Sequence, residues 1–349
     1  MILSGIEERE LNRYMQRYDF NEYINGKTFL LTGCKGLVGS GVIKWLLLEN
    51  KKNDANVTII ASTRYPKDVP DYIESIDNIE FCKFGDEKEY CKDRHIDYII
   101  HAASPTGNTF HKAHPVESLR VIVDETEKML EIACDNPGSS LIYLSSEEVY
   151  GLLYNEEAVD ETYVGAIDSL NCRSCYPLGK KVAELLCHNY SVEYGVNVKI
   201  IRPTVIHGLL QPYSEQRVVN EILRCVVENK NLVMKSAGLT KKCLMYSLDA
   251  ISAVFTVLFK GKNGEVYNAS NPDTFLTVKD LANYVFSKFN PDICIEFSGE
   301  DTSVTEGYLP QRSLVQKVDK LKNLGWEILT DLEYIYEVDI ERFKQKVKR

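Results

Sequence analysis

The sequence has no excess of positive charge and no long apolar run. Its 349 residues include 41 Lys and Arg against 51 Asp and Glu, a formal net charge of −10. This balance argues against nucleic acid or an anionic membrane as a partner, because both attract basic surfaces. No run of eighteen apolar residues suggests a membrane span, and the charged N-terminal segment does not resemble a signal peptide. We expect a cytoplasmic protein whose ligands are small molecules.

The cysteines lack the paired spacing of a zinc site. Ten are present, and only Cys172 and Cys175 form a Cys-x-x-Cys pair. One such pair without a second is weak support for metal or redox chemistry. His101 has no partner at ligand spacing and is expected at a strand end, in contact with a cofactor. We therefore predict no metal site, and free thiols of the kind found in a reducing compartment.

Short apolar runs alternate with helical patterns from residue 28 onward. The apolar runs are 28–32, 56–62, 79–84, 97–103, 140–146 and 196–203. The helical patterns between them include 37–50, 115–135 and 177–194. This alternation predicts an α/β fold with a Rossmann-like, doubly wound parallel sheet.

Three segments are predicted along the chain. Residues 1–26 form a short helical extension, residues 27–203 the dinucleotide-binding domain, and residues 204–349 a smaller mixed lobe that mainly binds substrate. The C-terminal lobe is expected to contain helices near 215–229, 249–260, 277–289 and 313–323 and a strand at 265–270. The boundary at 203 is soft, because chain segments can cross between lobes.

A glycine-rich turn follows the first predicted strand. In TGCKGLVGSG, Gly33, Gly36 and Gly39 are spaced as G-x-x-G-x-x-G between a strand and a helix. Gly33 permits a tight turn, Gly36 permits close approach of a pyrophosphate, and Gly39 permits close helix–strand packing. The helix start at Leu37 and Val38 offers free N–H groups to phosphates. The pattern predicts a dinucleotide site.

The end of the second strand bears on the choice between NAD and NADP. An Asp or Glu at this position would bind the 2′-hydroxyl of the adenosine ribose. The sequence IIASTRYP has Ala61 there, and Arg64 follows closely. The missing acid and the nearby arginine favour NADP slightly. The alternative is that Arg64 is only a solvated loop residue.

Two groups of residues have the types needed for acid–base chemistry. Tyr176 and Lys180 are four residues apart, so they lie on one face of a helix. A lysine ammonium there is expected to lower the pKa of Tyr176, which could then accept a proton from a sugar hydroxyl as hydride leaves. In LSSEEVYG, Ser146, Glu147 and Glu148 follow a buried run. They form either a catalytic loop or a solvated one, and the solvated alternative is stronger for Glu147.

These motifs resemble the extended short-chain dehydrogenase/reductases of the NAD-dependent epimerase/dehydratase family. Within it the chain is most similar to UDP-glucuronate decarboxylases and sugar-nucleotide 4,6-dehydratases. The resemblance runs from about residue 27 to the end and rests on TGCKGLVG, HAASPTGNTFHKAHP, LSSEEVYG, RSCYPLGKKVAE, VYNASNP and LGW. It implies a homodimer formed by helices 115–135 and 177–194, and a role in polysaccharide biosynthesis.

The resemblance also implies roles for individual residues. Ser146 would bind the sugar O4 beside Tyr176, Glu148 would act near C5 and C6, and Glu147 could serve as a general acid. The implied dinucleotide contacts are Gly33, Gly36, Leu37, Val38, Gly39, Arg64, Asp86 (near the adenine), Glu87, Ala102, Ala103, Ser104, Tyr176, Lys180 and Pro203. The implied substrate contacts are Ser104, Arg173, Arg217, Lys242 and Arg312.

The leading interpretation is an NAD(P)-dependent enzyme that modifies a nucleotide sugar through a 4-keto intermediate, as a decarboxylase or dehydratase. A 4-epimerase or 4-ketoreductase is the alternative, and it needs Tyr176 but not Glu148. An alternative of another class is a non-catalytic regulatory protein that binds a dinucleotide. Ile122 and Val205 stand where the family usually has Asn, and Glu125 where it has Gly, which leaves that alternative open.

Overall fold

The apolar runs assemble into one central parallel sheet. The computed structural model describes residues 3–73, 77–105, 107–153, 157–298 and 313–347. The strands are β1 (Thr28–Thr32), β2 (Thr58–Thr63), β3 (Ile79–Lys83), β4 (Tyr98–His101), β5 (Ser140–Leu144), β6 (Asn197–Pro203), β7 (Val205–His207), β8 (Leu232–Met234), β9 (Lys241–Lys242), β10 (Leu244–Tyr246), β11 (Val266–Ala269), β12 (Leu276–Thr277) and β13 (Ile295–Phe297). Seven pair in parallel in the order β11-β6-β5-β4-β1-β2-β3. Strands β1, β2 and β5 are buried almost throughout, because both faces of a parallel sheet are covered.

Helices cover both faces of this sheet. They are α1 (Gly5–Arg17), α2 (Asn21–Ile24), α3 (Leu37–Asn53), α4 (Glu87–Cys91), α5 (Asn108–Ala113), α6 (Pro115–Asp135), α7 (Cys175–Glu193), α8 (Val218–Glu228), α9 (Ser247–Lys260), α10 (Val278–Phe289), α11 (Asp319–Lys322) and α12 (Leu332–Val347). Helices α6 and α7 share a hydrophobic core on one face, and α3 and α9 share one on the other. The predicted Rossmann-like α/β fold is confirmed. Within the described ranges, no helix has the length and apolar character needed to cross a membrane.

The order in which the chain adds strands to the sheet reverses between β1 and β4, although all the strands are parallel. The chain runs outward from β1 through β2 to β3, then returns to the other side of β1 and continues through β4, β5 and β6. In open α/β sheets, ligands bind in the crevice outside the carboxyl ends of the strands at such a reversal. The segments that follow β1, β4 and β5 therefore border one crevice.

The C-terminal part of the chain contributes to two cores. Helices α8, α10 and α12 form a separate hydrophobic cluster, beside three two-stranded pairs, β7 with β10, β9 with β12 and β8 with β13. Strand β11 and helix α9 instead complete the main sheet and cover one face of it. The chain thus crosses the boundary placed at residue 203.

The N-terminal segment packs into the main core. Helix α1 begins with a capping box in which Ser4 and Glu7 exchange side-chain to backbone hydrogen bonds. Leu11 and Tyr14 are fully buried, and the Tyr14 hydroxyl donates to Asp249 Oδ1 on α9 at 2.7 Å. The predicted helical extension is therefore a structural layer over α9.

The prediction of a helix over 313–323 is wrong, except at the short helix α11. Ser313 and Gln316 lie in extended backbone that bridges to Lys241 and Val159. The amide of Gln316 donates to the backbone oxygen of Arg202, at 3.0 Å. These contacts across the fold outweigh the local helical pattern, because they satisfy buried polar groups.

A buried ion pair connects the main sheet to helix α7. Arg202, at the end of β6, donates through Nε and Nη2 to the two carboxylate oxygens of Glu184, at 2.9 and 2.6 Å. Its Nη1 donates to the Tyr150 hydroxyl and to the Glu161 carbonyl oxygen. A two-point guanidinium–carboxylate pair has a defined geometry, so it fixes α7 against the segment that follows β5.

We expect Glu184→Ala to lower the free energy of unfolding by about 3–5 kcal/mol, because it leaves the buried Arg202 charge without its partner. Chemical denaturation of both proteins measures the change. Glu193→Ala, at an exposed position on the same helix, is the matched control and should change stability little. A Glu184→Ala protein as stable as the control would contradict the structural role of this pair.

Candidate active site

Two of the three motif glycines are required by the packing of the chain itself. Gly33 has φ +72°, and a Cβ there would lie 2.8 Å from the backbone of Ala102. A Cβ on Gly39 would lie 2.2 Å from the carbonyl oxygen of Gly33, so α3 can approach β1 only with glycine here. A Cβ on Gly36 would have only that same oxygen within 4 Å, at 3.1 Å. Gly36 therefore keeps open space at the turn, as a bound phosphate requires.

Helix α3 begins at this open space without a side-chain cap. Gly36 is its N-cap residue and has no side chain to accept from the first N–H groups. The amides of Leu37, Val38 and Gly39 consequently lack intrahelical acceptors, at the positive end of the helix dipole. A pyrophosphate supplies both the acceptors and the negative charge that such a helix end binds. These residues fit a dinucleotide.

The segment after β4 forms the neighbouring wall of the crevice. Ala102, Ala103 and Ser104 are half-buried there. The N–H of Ala103 donates to the hydroxyl of Thr32 at 3.1 Å, which ties this wall to the end of β1. The three residues predicted to contact a cofactor from β4 therefore lie directly beside the glycine turn.

The ring of His101 is not part of that wall. Its Nδ1 lies 2.8 Å from Thr32 Oγ1 and its Nε2 3.2 Å from Thr126 Oγ1, so both nitrogens have protein partners. Burial and the nearby Lys180 lower the pKa of His101 to about 3. The prediction that His101 touches the cofactor is wrong, because its side chain is buried between β1 and α6.

Four residues predicted to contact the cofactor occupy other strand ends. Arg64 and Asp86 are exposed after β2 and β3. Glu87 is buried, and its carboxylate accepts a hydrogen bond from the Ser62 hydroxyl. Pro203 is half-buried at the end of β6. Their contacts with a dinucleotide stay a prediction.

Tyr176 and Lys180 lie together in the first turns of α7, and both are buried. Burial and the Glu148 carboxylate raise the pKa of Tyr176 above its usual range, opposed by a hydrogen bond with Ser146. Burial lowers the pKa of Lys180 to about 7, and its Nζ donates to the Leu144 carbonyl oxygen at 2.6 Å. The same Nζ lies 5.8 Å from the centre of the Tyr176 ring, and the lowering of the Tyr176 pKa by Lys180 stays a prediction.

Glu148 forms an ion pair with Arg173 beside the ring of Tyr176. Ser146 Oγ accepts from the N–H of Glu148 at 3.2 Å, which orients the turn after β5. Arg173 Nη2 contacts both carboxylate oxygens of Glu148, at 3.1 and 3.0 Å, and also donates to Asn108 Oδ1. The Arg173 guanidinium lies 5.5 Å from the ring centre of Tyr176. Arg173 thus binds a protein carboxylate here, in the same cluster as the tyrosine.

Glu147 occupies a different environment from its neighbour. It is only 4% exposed, and Thr204 Oγ1 donates to its Oε2 at 2.6 Å. The same hydroxyl lies 3.1 Å from the backbone oxygen of Cys243. The solvated-loop alternative is therefore wrong for Glu147, which is the more buried of the two glutamates.

His111 is a residue of this cluster that the sequence reasoning missed. Its ring centre lies 4.7 Å from that of Tyr176, and its Nδ1 lies 2.7 Å from Ser118 Oγ. Its Nε2 is buried without a hydrogen-bond partner in the described part of the chain. Burial and the Arg173 charge lower the pKa of His111 to about 4. The three histidines of the segment 101–115 gave no spacing signal that could have singled it out.

Two of the remaining predicted substrate contacts, Arg217 and Lys242, lie in the C-terminal part of the chain. Arg217 is exposed and pairs with Glu215 at 3.2 Å. Lys242 lies in β9, which pairs with β12 in the C-terminal part. Arg312 lies outside the described residues. Among the residues that are described, no group of three or more His, Cys, Asp or Glu could hold a metal ion.

Curated relatives cover most of this chain at low identity. UDP-glucuronic acid decarboxylase 6 of Arabidopsis thaliana is 27% identical over 309 residues, which are 85% of this chain and 83% of the relative. UDP-glucuronic acid decarboxylase 1 of Danio rerio is 26% identical over 351 residues, which are 98% of this chain and 79% of the relative.

Solved structures of several enzymes share the fold. dTDP-glucose 4,6-dehydratase of Bacillus anthracis, in complex with NAD, has a TM-score of 0.73 at 22% identity and covers 92% of this chain and 98% of its own. UDP-glucuronic acid 4-epimerase of Bacillus cereus, in complex with UDP-glucuronic acid and NAD, has a TM-score of 0.74 at 20% identity and covers 91% and 99%. At these identities the likeness shows the fold alone.

A sequence profile of the NAD dependent epimerase/dehydratase family matches residues 29–270. This span includes the glycine turn, the turn after β5 and the Tyr176–Lys180 pair. The chain belongs to the NAD dependent epimerase/dehydratase family.

Proposed function

We propose that the protein is an NAD(P)-dependent enzyme that modifies a nucleotide sugar through a 4-keto intermediate and acts as a decarboxylase. The observation that carries the proposal is the grouping of Tyr176, Ser146 and Glu148 beside the crevice at which the glycine turn opens. The Arabidopsis and zebrafish relatives support a UDP-uronate as the substrate class.

The chemistry assigns a task to each side chain. A dinucleotide held at the glycine turn would supply hydride transfer to and from C4 of the sugar. Tyr176, as tyrosinate, takes the proton of the C4 hydroxyl, and Ser146 hydrogen-bonds the same oxygen. In the resulting ketone the C6 carboxylate lies β to the carbonyl, so CO2 leaves and the electron pair of the C5–C6 bond passes into the ketone. A proton from solvent then adds at C5, and Tyr176 returns its proton to O4.

The ion pair of Glu148 favours decarboxylation over dehydration. Elimination of a hydroxyl requires a base that removes the C5 proton, whereas loss of CO2 does not. Arg173 contacts both oxygens of Glu148 and is itself held by Asn108. A carboxylate held by a charge-assisted pair of this kind is poorly placed to accept that proton. Dehydration and 4-epimerisation are the alternatives.

His111 is proposed as a positioning residue for Tyr176. The two rings are in contact, and Ser118 fixes the imidazole from the other side. The lowered pKa of His111 keeps the imidazole neutral at physiological pH. It therefore constrains the tyrosine ring without adding a charge beside it.

A homodimer through α6 and α7 is the proposed assembly. The two helices pack side by side and expose apolar side chains, of which Val116, Leu119, Val182 and Leu185 are between 38% and 67% accessible. On each helix these residues recur at intervals of three, so they lie on one face. An apolar stripe on two adjacent helices suits pairing with a second copy.

We expect Tyr176→Phe to reduce turnover of the true substrate by about 10²–10⁴-fold, since it removes the general base. Product mass from a panel of UDP-, dTDP-, GDP- and CDP-linked sugars and uronates identifies that substrate. A decarboxylase converts a UDP-uronate to a UDP-pentose with loss of CO2. Absence of any conversion across the panel, with the dinucleotide bound, would refute catalysis and support the regulatory alternative.

Glu148→Gln distinguishes the possible reactions. We expect a decarboxylase to keep the pentose product with only a moderate loss of rate, because no base is needed at C5. A dehydratase would oxidise C4 and stall, so reduced dinucleotide would accumulate and be visible by its near-ultraviolet absorbance. If the wild-type enzyme instead yields an epimerised product of unchanged mass, the proposed decarboxylation is refuted and 4-epimerisation is supported.

We expect His111→Leu to reduce kcat by about tenfold with little change in KM, because Tyr176 loses the ring that orients it. His111→Phe keeps a ring at that position and should recover most of kcat. His114→Leu, at an exposed position near the start of α6, is the matched control. Equal kcat values for the Leu and Phe variants would argue against positioning by the ring.

We expect Leu185→Glu to convert a dimer to a monomer, because it buries a charge in the paired apolar stripe. Light scattering at micromolar concentration measures the mass. Val233→Glu places the same charge at an exposed apolar position in the C-terminal part and should leave the mass unchanged. A monomeric wild type would refute the proposed assembly.

A further inference from the structure

The N-terminal helix α1 lies outside the part of the chain that the family profile matches, which begins at residue 29. It nevertheless contacts α3, the helix that begins at the glycine turn, through two ion pairs. Glu7 accepts from Lys44 Nζ at 2.5 Å, and Glu8 pairs with Lys52 at 3.1 Å. The side chains of the first pair are 18% and 11% exposed, whereas those of the second are 42% and 36% exposed. Because water and salt screen the first pair less, it is the one that can fix α1 against α3.

The ammonium of Lys44 also lies over an aromatic ring. Its Nζ is 4.8 Å from the ring centre of Tyr72. Burial, followed by the nearby Cys34 and Glu7, raises the pKa of Tyr72 above its usual range, so the phenol faces both the glycine turn and α1. The Tyr72 hydroxyl is buried without a hydrogen-bond partner among the described residues. The directed contact of Tyr72 is therefore made by its ring, through the Lys44 cation.

Tyr72 belongs to the segment that follows β2, residues 64–73. This segment starts at the strand end where the adenosine ribose of a dinucleotide is expected. Its Asp68 pairs with Lys35 of the glycine turn at 2.5 Å. Lys35 and Ser40 on one side and residues 68–72 on the other line a cleft of about 280 Å³. The segment thus forms a wall beside the start of α3.

We propose that α1 and Tyr72 position this wall of the dinucleotide site: Glu7 holds Lys44, and Lys44 holds the ring of Tyr72. The inference rests on the proposed dinucleotide site. A wall that is already ordered loses little conformational freedom when a ligand binds, so these contacts raise the affinity for the dinucleotide. All three side chains act through the segment 64–73 and are positioning residues.

The two halves of a dinucleotide make the proposal specific. The end of β2 borders the adenosine half, and the start of α3 binds the pyrophosphate. ADP carries both of these parts and lacks the nicotinamide. Loss of the Tyr72 contact should therefore weaken the binding of ADP by the same factor as the binding of NAD.

Titration calorimetry of the purified full-length chain with NAD and with ADP tests the role of Tyr72. We expect Tyr72→Leu to weaken the binding of both ligands about tenfold, because it removes the ring from a cation that is largely shielded from water. Tyr72→Phe removes only the unpartnered hydroxyl and should bind both ligands as tightly as the wild type. Wild-type affinity in the Leu variant overturns the proposal, as does an equal loss in the Phe variant or a loss for NAD that ADP does not share.

The role of α1 has its own matched pair of variants. Glu7→Gln keeps a side chain that can form the capping box of α1 but removes the charge that holds Lys44. We expect it to weaken the binding of NAD about threefold. Glu8→Gln makes the same change at the exposed pair and should leave the affinity unchanged. Equal affinities of these two variants overturn the role of α1, and this comparison does not depend on the folding of Tyr72→Leu.

Two further measurements separate this proposal from the proposed function. Chemical denaturation of each variant without ligand shows that the protein is folded under the conditions of the titration, so a lower affinity then reflects the site. Folded variants with wild-type affinity overturn the positioning role alone and leave the proposed function intact. A wild type that binds neither NAD nor ADP refutes the dinucleotide site, and this proposal with it.

Discussion

The arrangement of the site depends on the hydrogen bonds of the Arg202 guanidinium. It stands at the end of β6 and binds Glu184 on α7, the helix that carries Tyr176. It also binds the hydroxyl of Tyr150, which ends the turn that carries Ser146. Helix α7 and the turn after β5 are therefore both held by one buried planar group. The fork-shaped arrangement of its N–H donors allows little variation in the position of either segment.

Burial sets the electrostatics of the cluster. Taken alone, burial disfavours the phenolate of Tyr176, the ammonium of Lys180 and the imidazolium of His111, so the three pKa values move toward the neutral forms. A tyrosinate and an ammonium formed together offset each other, because their attraction is strong where water is excluded. The dry cluster thus favours charge only in pairs, as the ion pair of Arg173 and Glu148 illustrates.

The two glutamates of LSSEEVYG show how one short turn can create two environments. Successive residues of the tight turn that Ser146 caps point in different directions. Glu148 turns toward Arg173, and Glu147 turns inward to the hydroxyl of Thr204 beyond the end of β6. Identical side chains at adjacent positions therefore have different partners, and chemistry assigned to one does not transfer to the other.

The sequence by itself determined the features that depend on neighbouring residues. The alternation of apolar runs and helices gave the sheet, the glycine spacing gave the turn before α3, and the i, i+4 spacing placed Tyr176 and Lys180 on one face. Each of these follows from local backbone geometry, which a short window of sequence contains.

Only the tertiary structure decided the partners of the polar side chains. His111 meets Tyr176 across 65 residues, Arg173 meets Glu148 across 25, and Glu87 meets Ser62 across 25. The extended segment at Ser313–Gln316 likewise replaced a predicted helix, because its polar groups bond to distant strands. A single sequence carries no periodicity for such pairs, since the folding of separate strand ends onto one edge of the sheet brings them together.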